Sequence, residues 1–183
     1  IGRDGDYYTS PCVHPLFGGL IAKQLAQMSE QLDGAWFDVV EQGGGRGFLC
    51  EDILQWTKKN SPAFHQRLRY HLIETAPFFL NEQRERLGEY RKEGKIFWME
   101  PEVFEEGKIQ IEGCILSNEL VDAFPVHQVI FDHGDLKEVY VAQDSGRLKE
   151  QWGGLSDPRI APYLQSVEIT LQEGQRAEVN LKA

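Results

Sequence analysis

Val39-Val40-Glu41-Gln42-Gly43-Gly44-Gly45-Arg46-Gly47 decides how this chain is read: an apolar run ends in an acid and opens at once into glycines spaced two apart. Glycine lacks Cβ, so Gly43, Gly45 and Gly47 can take positive φ and let a ligand approach the backbone more closely than any side-chain-bearing residue would allow. The helix expected from about Gly47 turns its unpaired N–H groups toward the same point. Strand, acid, E-x-G-x-G-x-G and helix together make a loop for a nucleotide-type ligand. Two other glycine loops fit poorly. A dinucleotide fingerprint, G-x-G-x-x-G, needs its third glycine where Phe48 stands counting from Gly43, or where Cys50 stands counting from Gly45. A phosphate-cradling loop ends in Gly-Lys-Ser/Thr, whereas this one continues Gly47-Phe48-Leu49 with no lysine before Lys58. The plain alternative is a tight turn that binds nothing.

A second acid sharpens the pattern. The next apolar run, Leu68-Arg69-Tyr70-His71-Leu72-Ile73-Glu74, also ends in a carboxylate and follows a helix-patterned stretch, so the two runs form a β-α-β unit. An acid at the end of the second strand sits beside the loop and can accept both ribose hydroxyls. The gap from Gly47 to Glu74 exceeds the usual distance of about twenty residues, and the polar loop Lys58-Lys59-Asn60-Ser61-Pro62 absorbs the excess. A solvated strand-end acid is the competing reading of Glu74.

A length of 183 residues with 41% apolar residues suits one α/β domain over 1–183, or a piece of a larger one. No stretch approaches the eighteen apolar residues of a membrane helix, so a soluble protein without membrane insertion is expected. No charged segment followed by an apolar one opens the chain, which leaves secretion unsupported. Cys12, Cys50 and Cys114 are odd in number and scattered, which favours reduced thiols in a cytoplasm or organelle matrix, with neither disulfide nor zinc implied. His14, His65, His71, His127 and His133 show no paired metal spacing, so no metal is expected. The net charge of −10 would repel a polyanion, so nucleic acid drops out, and an acidic surface suits a basic peptide or an arginine. The chain opens without methionine, and Glu173 to Val179 reads as the start of a helix running on to Ala183. A C-terminally incomplete fragment is therefore expected.

Apolar positions Phe17, Leu20, Ile21, Leu25, Met28 and Leu32 predict a helix between Pro15 and Leu32. Leu49, Ile53, Leu54 and Trp56 predict the helix after the glycine loop, and Phe78, Phe79, Leu80, Gln83, Leu87 and Tyr90 the one after Glu74, with Pro77 in its first turn. Ile96-Phe97-Trp98 is a third strand and Gly113 to Asn118 a buried fourth one. Val126 to Phe131 and Leu136 to Val141 flank Asp132-His133-Gly134-Asp135, an inserted β-hairpin near 126–142. A lid, a substrate platform and a homo-oligomer contact are all open for it. Leu155 to Val167, with Pro158 and Pro162, reads as loop with at most a short helix.

At Ser117-Asn118-Glu119-Leu120-Val121-Asp122-Ala123-Phe124-Pro125-Val126 the chain is similar to the MidA family. These are methyltransferases whose mitochondrial members assist respiratory complex I assembly and dimethylate an arginine of one of its subunits. Gly5-Asp6-Tyr7-Tyr8-Thr9-Ser10-Pro11 with Phe17-Gly18 resembles that family's amino-terminal motif, and Glu41 to Gly47 resembles its cofactor loop, the first motif of class I S-adenosylmethionine-dependent enzymes. The three matches stand in the expected order. The resemblance implies a class I methyltransferase fold, a Rossmann-like parallel sheet with helices on both faces, and S-adenosyl-L-methionine as cofactor. Departures fall at Gly44, where a proline is expected, at Phe48, where a small hydroxyl residue is, and at Cys12 and Gly19, where acids are. They bear on the substrate more than on the cofactor.

An arginine acceptor is always protonated near neutrality, with a pKa above about 12, and must be brought beside a second cation. Carboxylates grip the guanidinium fork and offset the repulsion. Glu119 and Asp122, three apart after the fourth strand, are the catalytic candidates and would share one face if a helical turn begins there. A helix-dipole acid and a cap are the structural alternatives for this pair. Glu41, Gly43, Gly45, Gly47, Glu74 and Asn118 are expected at the cofactor. Arg46 either reaches the methionyl carboxylate or pairs with a local acid, and Asp6, Thr9 and Ser10 close over the methionine end. Trp98, Met99 and Glu100 lie where adenine rests in this fold, although Trp98 also reads as core. The expected activity is methyl transfer to a protein arginine. The alternatives are a noncatalytic assembly chaperone of the same shape and a small-molecule methyltransferase.

Overall fold

The computed structural model describes residues 9–105, 107 and 109–181. The chain divides into two compact units, 1–120 and 121–183, each with its own core.

The first unit is built on four parallel strands, β1 (Phe37–Gln42), β2 (Leu68–Ile73), β3 (Ile96–Met99) and β4 (Gly113–Ser117), in the order β3-β2-β1-β4. Short α1 (Ser10–Val13) and the longer α2 (Leu16–Ser29) precede β1; α3 (Phe48–Asn60) and α4 (Pro62–Arg67) link β1 to β2. The connection from β2 to β3 runs through α5 (Pro77–Arg86) and α6 (Gly88–Lys92), and α7 (Pro101–Glu105) precedes β4. This is the expected α/β fold, with helices joining the parallel strands as alternating strand and helix require. Phe37, Val39, Leu68, Tyr70, Leu72 and Ile96 form one buried face of the sheet, packed with Ala22 and Leu25 of α2, with Leu49, Ile53 and Leu54 of α3, and with Leu87. Each large side chain so buried contributes about 1.5–3 kcal/mol.

Two helical expectations shift. In α2 the buried positions are Gly18, Gly19, Ala22, Leu25 and Ser29, while Leu20 and Met28 are exposed. A close approach to α3 rotates the buried stripe toward the small residues: a Cβ on Gly18 would stand 2.4 Å from Asp52 Cβ, and one on Gly19 would stand 2.9 Å from the Trp56 ring. The helix expected after Glu74 breaks at Leu87 into α5 and α6, and Phe78 is exposed. β4 is also less buried than expected, with Ile115 56% exposed, because among the described residues it pairs with β1 alone, at the edge of the sheet.

The strand order reverses between β1 and β4, and a crevice opens outside the carboxyl ends of the strands at such a switch point. The glycine loop leaves β1 there, and Gln42 pairs with Ser117.

The second unit is an antiparallel sheet of β5 (His127–Asp132), β6 (Asp135–Asp144), β7 (Arg147–Gly153) and β8 (Arg176–Val179), in the order β7-β6-β5-β8, with α8 (Ile160–Ser166) contributing Ile160 and Leu164 to its core. The expected hairpin is β5–β6. Its two turn residues, His133 and Gly134, have φ of 53° and 84°, the positive pair that matches the twist of tight hairpins. A second such turn at Ser145-Gly146 adds β7. The hairpin is thus half of a four-stranded sheet. Glu173 to Val179 is not a helix: Ala177 and Val179 alternate into the core, and β8 pairs with β5.

Candidate functional site

Three strand ends and one bend converge in the first unit. Gly43, Gly45 and Gly47 have φ of 68°, 52° and 79°, all in the region that favours glycine. Around Gly45 an added Cβ would meet nothing within 4 Å, so the bend faces open space there. On Gly43 it would stand 2.7 Å from Leu120, and on Gly44 2.8 Å from Leu72. Gly44 therefore fills a place under the bend that a proline ring would have to share with Leu72. Gly47 caps α3 in the left-handed conformation, so the helix amino terminus starts at the bend.

The two expected acids flank this bend. Glu74 Oε2 accepts the Gly45 N–H at 3.0 Å, and Oε1 accepts the N–H groups of Thr75 and Ala76, each at 2.9 Å. Glu41 is buried at 3% exposure and accepts the Tyr70 hydroxyl at 2.8 Å. Burial pushes its carboxyl up to about 7, against the Tyr70 hydrogen bond and with a further push from the Glu74 charge. Burial, with the Glu41 charge behind it, raises both the Tyr70 hydroxyl and the Cys50 thiol, so both keep their protons.

On the far side of the bend stands Gln83, which sequence reasoning read only as a position on a helix stripe. Gln83 is fully buried, donates Nε2 to the Gly45 carbonyl at 2.7 Å and accepts the Trp98 indole N–H at 2.9 Å. Its place on the apolar stripe of α5 was the available signal, since a polar residue there must find partners. Trp98 also packs on the core. Arg46 pairs with Glu82 through Nε at 2.6 Å and NH2 at 2.8 Å, the local-acid alternative, and Arg86 stacks 4.0 Å from the Phe48 ring centroid while bonding the Arg46 carbonyl and Glu51.

The other candidates are placed as follows. Asn118 is half-buried in the bend after β4, one residue beyond the Gln42–Ser117 pair. Glu119 is exposed with φ of 51°, and the helical turn covers only Val121–Ala123, so no turn beginning at Glu119 sets it on one face with Asp122. The steric reason is local, because a left-handed residue interrupts helix propagation. Glu119 belongs to the first unit, which ends at Leu120, and exposed Asp122 to the second. Thr9 caps α1, with Oγ1 3.4 Å from the Cys12 thiol, and Ser10 is its exposed first residue. Asp6 lies outside the described residues.

In the second unit Glu138, 6% exposed, accepts His127, both the N–H and the hydroxyl of Ser156, and Tyr140. Burial would raise its carboxyl, but these bonds outweigh it and bring it to about 2. Asp132, His133 and Glu173 offer possible metal-ligand atoms within 4.8 Å of one another, yet Lys137 already holds Asp132 and Glu173 accepts the His133 N–H. We assign no ion to this group.

The chain matches, over residues 20–183, the family model described as "Putative S-adenosyl-L-methionine-dependent methyltransferase". It is 29% identical to the mitochondrial protein arginine methyltransferase NDUFAF7 homolog of Drosophila melanogaster, with 76% of this chain and 35% of that protein covered, and 28% identical to the Caenorhabditis elegans homolog over the same shares. The chain thus spans about a third of the length of these relatives. In fold it resembles a Burkholderia thailandensis protein crystallised with S-adenosyl-homocysteine, with a TM-score of 0.69, 24% identity, and 96% of this chain and 43% of that one covered.

Proposed function

Because the chain belongs to the family of S-adenosyl-L-methionine-dependent methyltransferases, we propose that its glycine bend holds that cofactor and that the protein methylates an arginine of a partner protein. One observation carries the cofactor reading. Two carboxylates, Glu41 and Glu74, stand at a bend whose middle glycine faces open space. Acids repel a pyrophosphate and favour a cation, and S-adenosylmethionine carries a sulfonium and an ammonium. When bound, it supplies an electrophilic methyl group.

The chain's own residues then bind and orient. Glu74 spends three acceptor positions on backbone N–H groups, and a carboxylate offers about four, which leaves one on Oε2 for a ribose hydroxyl. Gly43, Gly45, Gly47 and Asn118 line the cleft, and the Gln83–Trp98 pair keeps Gly45 from moving. Arg46, Thr9 and Ser10 close the methionyl end, which asks Arg46 to exchange Glu82 for the ligand carboxylate. Glu119, just past the carboxyl end of β4, takes the acceptor guanidinium. Holding its nitrogen in line is worth up to ~7–11 kcal/mol of the barrier. No described helix is long and apolar enough to cross a membrane, and the names of the relatives favour a mitochondrial matrix location.

Calorimetric titration of the full-length polypeptide with S-adenosylmethionine, S-adenosyl-homocysteine and NADH tests the reading. Heat with the first two and none with NADH is expected. Heat with none of them would favour the noncatalytic assembly chaperone. Replacing Glu119 by Gln should abolish transfer to an arginine peptide while leaving cofactor affinity intact. Transfer to small acceptors alone would point to the small-molecule methyltransferase.

A further inference from the structure

Strand β3 is the outer strand of the parallel sheet. In a parallel ladder alternate residues turn both backbone groups toward the same neighbour. Tyr70 pairs with Ile96 and donates its N–H to the Lys95 carbonyl at 2.8 Å, so the groups of Phe97 face β2 and those of Ile96 and Trp98 face away. Among the described residues nothing bonds these outward groups. Beside them runs an open groove of about 430 Å³ lined by Arg84, Arg91, Gly94, Ile96, Phe97 and Trp98.

The lining carries two cations and no acid. Arg91 lies 5.5 Å from the Trp98 ring centroid, and neither Arg84 nor Arg91 forms an ion pair among the described residues. Three acids nearby in the chain are engaged elsewhere, Glu82 with Arg46, Glu89 with Lys92 and Glu93 with Lys58, while Glu85 follows Arg84 without lining the groove. In a chain of net charge −10, two uncompensated guanidinium groups beside an unpaired strand edge stand out. Phe97, 41% exposed, adds an apolar floor.

We propose that this edge docks an acidic, extended segment of a partner protein, which adds to β3 as a further strand. Its backbone pairs with Ile96 and Trp98, and alternate carboxylates meet Arg84 and Arg91 in charge-assisted, fork-shaped contacts. Charged residues at an edge can also serve only to discourage strand pairing, and that reading predicts no peptide binding at all.

The test is calorimetry on the full chain with a capped peptide alternating Glu and Val, its Lys counterpart, and a version N-methylated along one edge. The acidic peptide should bind, more weakly as salt rises, while the Lys peptide and the N-methylated peptide should not. The double variant R84E/R91E should bind it at least about tenfold more weakly and keep its affinity for S-adenosylmethionine, which separates this surface from the cofactor site. Absence of binding by the acidic peptide, equal binding of the Lys peptide, or undiminished binding by the double variant overturns the proposal. If that variant does not fold, the N-methylated peptide decides on the parent protein, since its equal binding rules out strand addition.

Discussion

The Glu74 carboxylate accepts the backbone N–H of Gly45 at 3.0 Å across 29 residues of sequence, so the end of the second strand fastens the middle of the glycine bend. One side chain thereby serves the fold and the ligand at once. Replacing Glu74 by Gln removes the charge and keeps the volume. A hydrogen bond to a charged group is worth about 1.5–3 kcal/mol, so affinity for S-adenosyl-homocysteine should fall roughly ten- to hundredfold. Calorimetry on parent and variant measures it, and unchanged affinity would remove Glu74 from the site.

Glu41 sets a pH dependence. Its folded carboxyl titrates near 7, against an ordinary value of 4.5. Between these values the folded chain holds a proton that the unfolded chain has released. Stability is therefore greatest below 4.5 and falls as pH rises toward 7, by about 3 kcal/mol in all. Urea titrations at pH 5 and pH 8 should show this loss in the parent and not in Glu41→Gln. Cofactor affinity should move the other way, rising as the carboxylate forms.

Glu138 runs in the opposite direction. Its carboxyl is held near 2, so the stability it supplies is complete above 4.5 and is lost as pH falls through 2, again about 3 kcal/mol. Acid unfolding of the second unit should lose this component in Glu138→Gln, as followed by Trp152 fluorescence in a chain whose other tryptophans are replaced by Phe.

Gly44 and Gly45 should separate packing from binding. Gly44→Ala forces a Cβ to within 2.8 Å of Leu72, a small overpacking that costs about 1–3 kcal/mol. Gly45→Ala meets no atom but must hold φ near 52°, at about 1–2 kcal/mol. Thermal melts should therefore show comparable losses. Only Gly45→Ala puts a methyl group into the open space, so only it should abolish cofactor binding.

Gln83→Leu keeps the buried volume and strands both the Gly45 carbonyl and the Trp98 indole N–H. Each orphaned group costs about 1–3 kcal/mol. Denaturation should show the loss, and Trp98→Phe in the same background should recover part of it, because one orphan disappears.

Local chemistry made much of this legible. Val39-Val40 and Leu68 to Ile73 read as strands because parallel strands buried on both faces are continuous apolar runs, and Glu41, Glu74 and the glycines were visible as short-range pattern. The hairpin at His133-Gly134 announced itself through its turn residues, and Ser145-Gly146 carried the same signal for the strand that was missed. Strand β8 gave less warning, since four residues show their alternation only once β5 is there to pair with them.

By itself, then, the amino-acid sequence determined that an acid-flanked glycine bend would sit at the end of an apolar strand in an α/β chain, because backbone freedom and burial period are properties of neighbouring residues. Only the tertiary structure decided what those groups touch: Tyr70 on Glu41, Gln83 on Gly45, Glu82 on Arg46, and a left-handed Glu119 where a helical turn was expected. The long-range partners lie 29 to 38 residues apart, and such contacts are chosen by the packing of whole helices against the sheet, which no local pattern encodes.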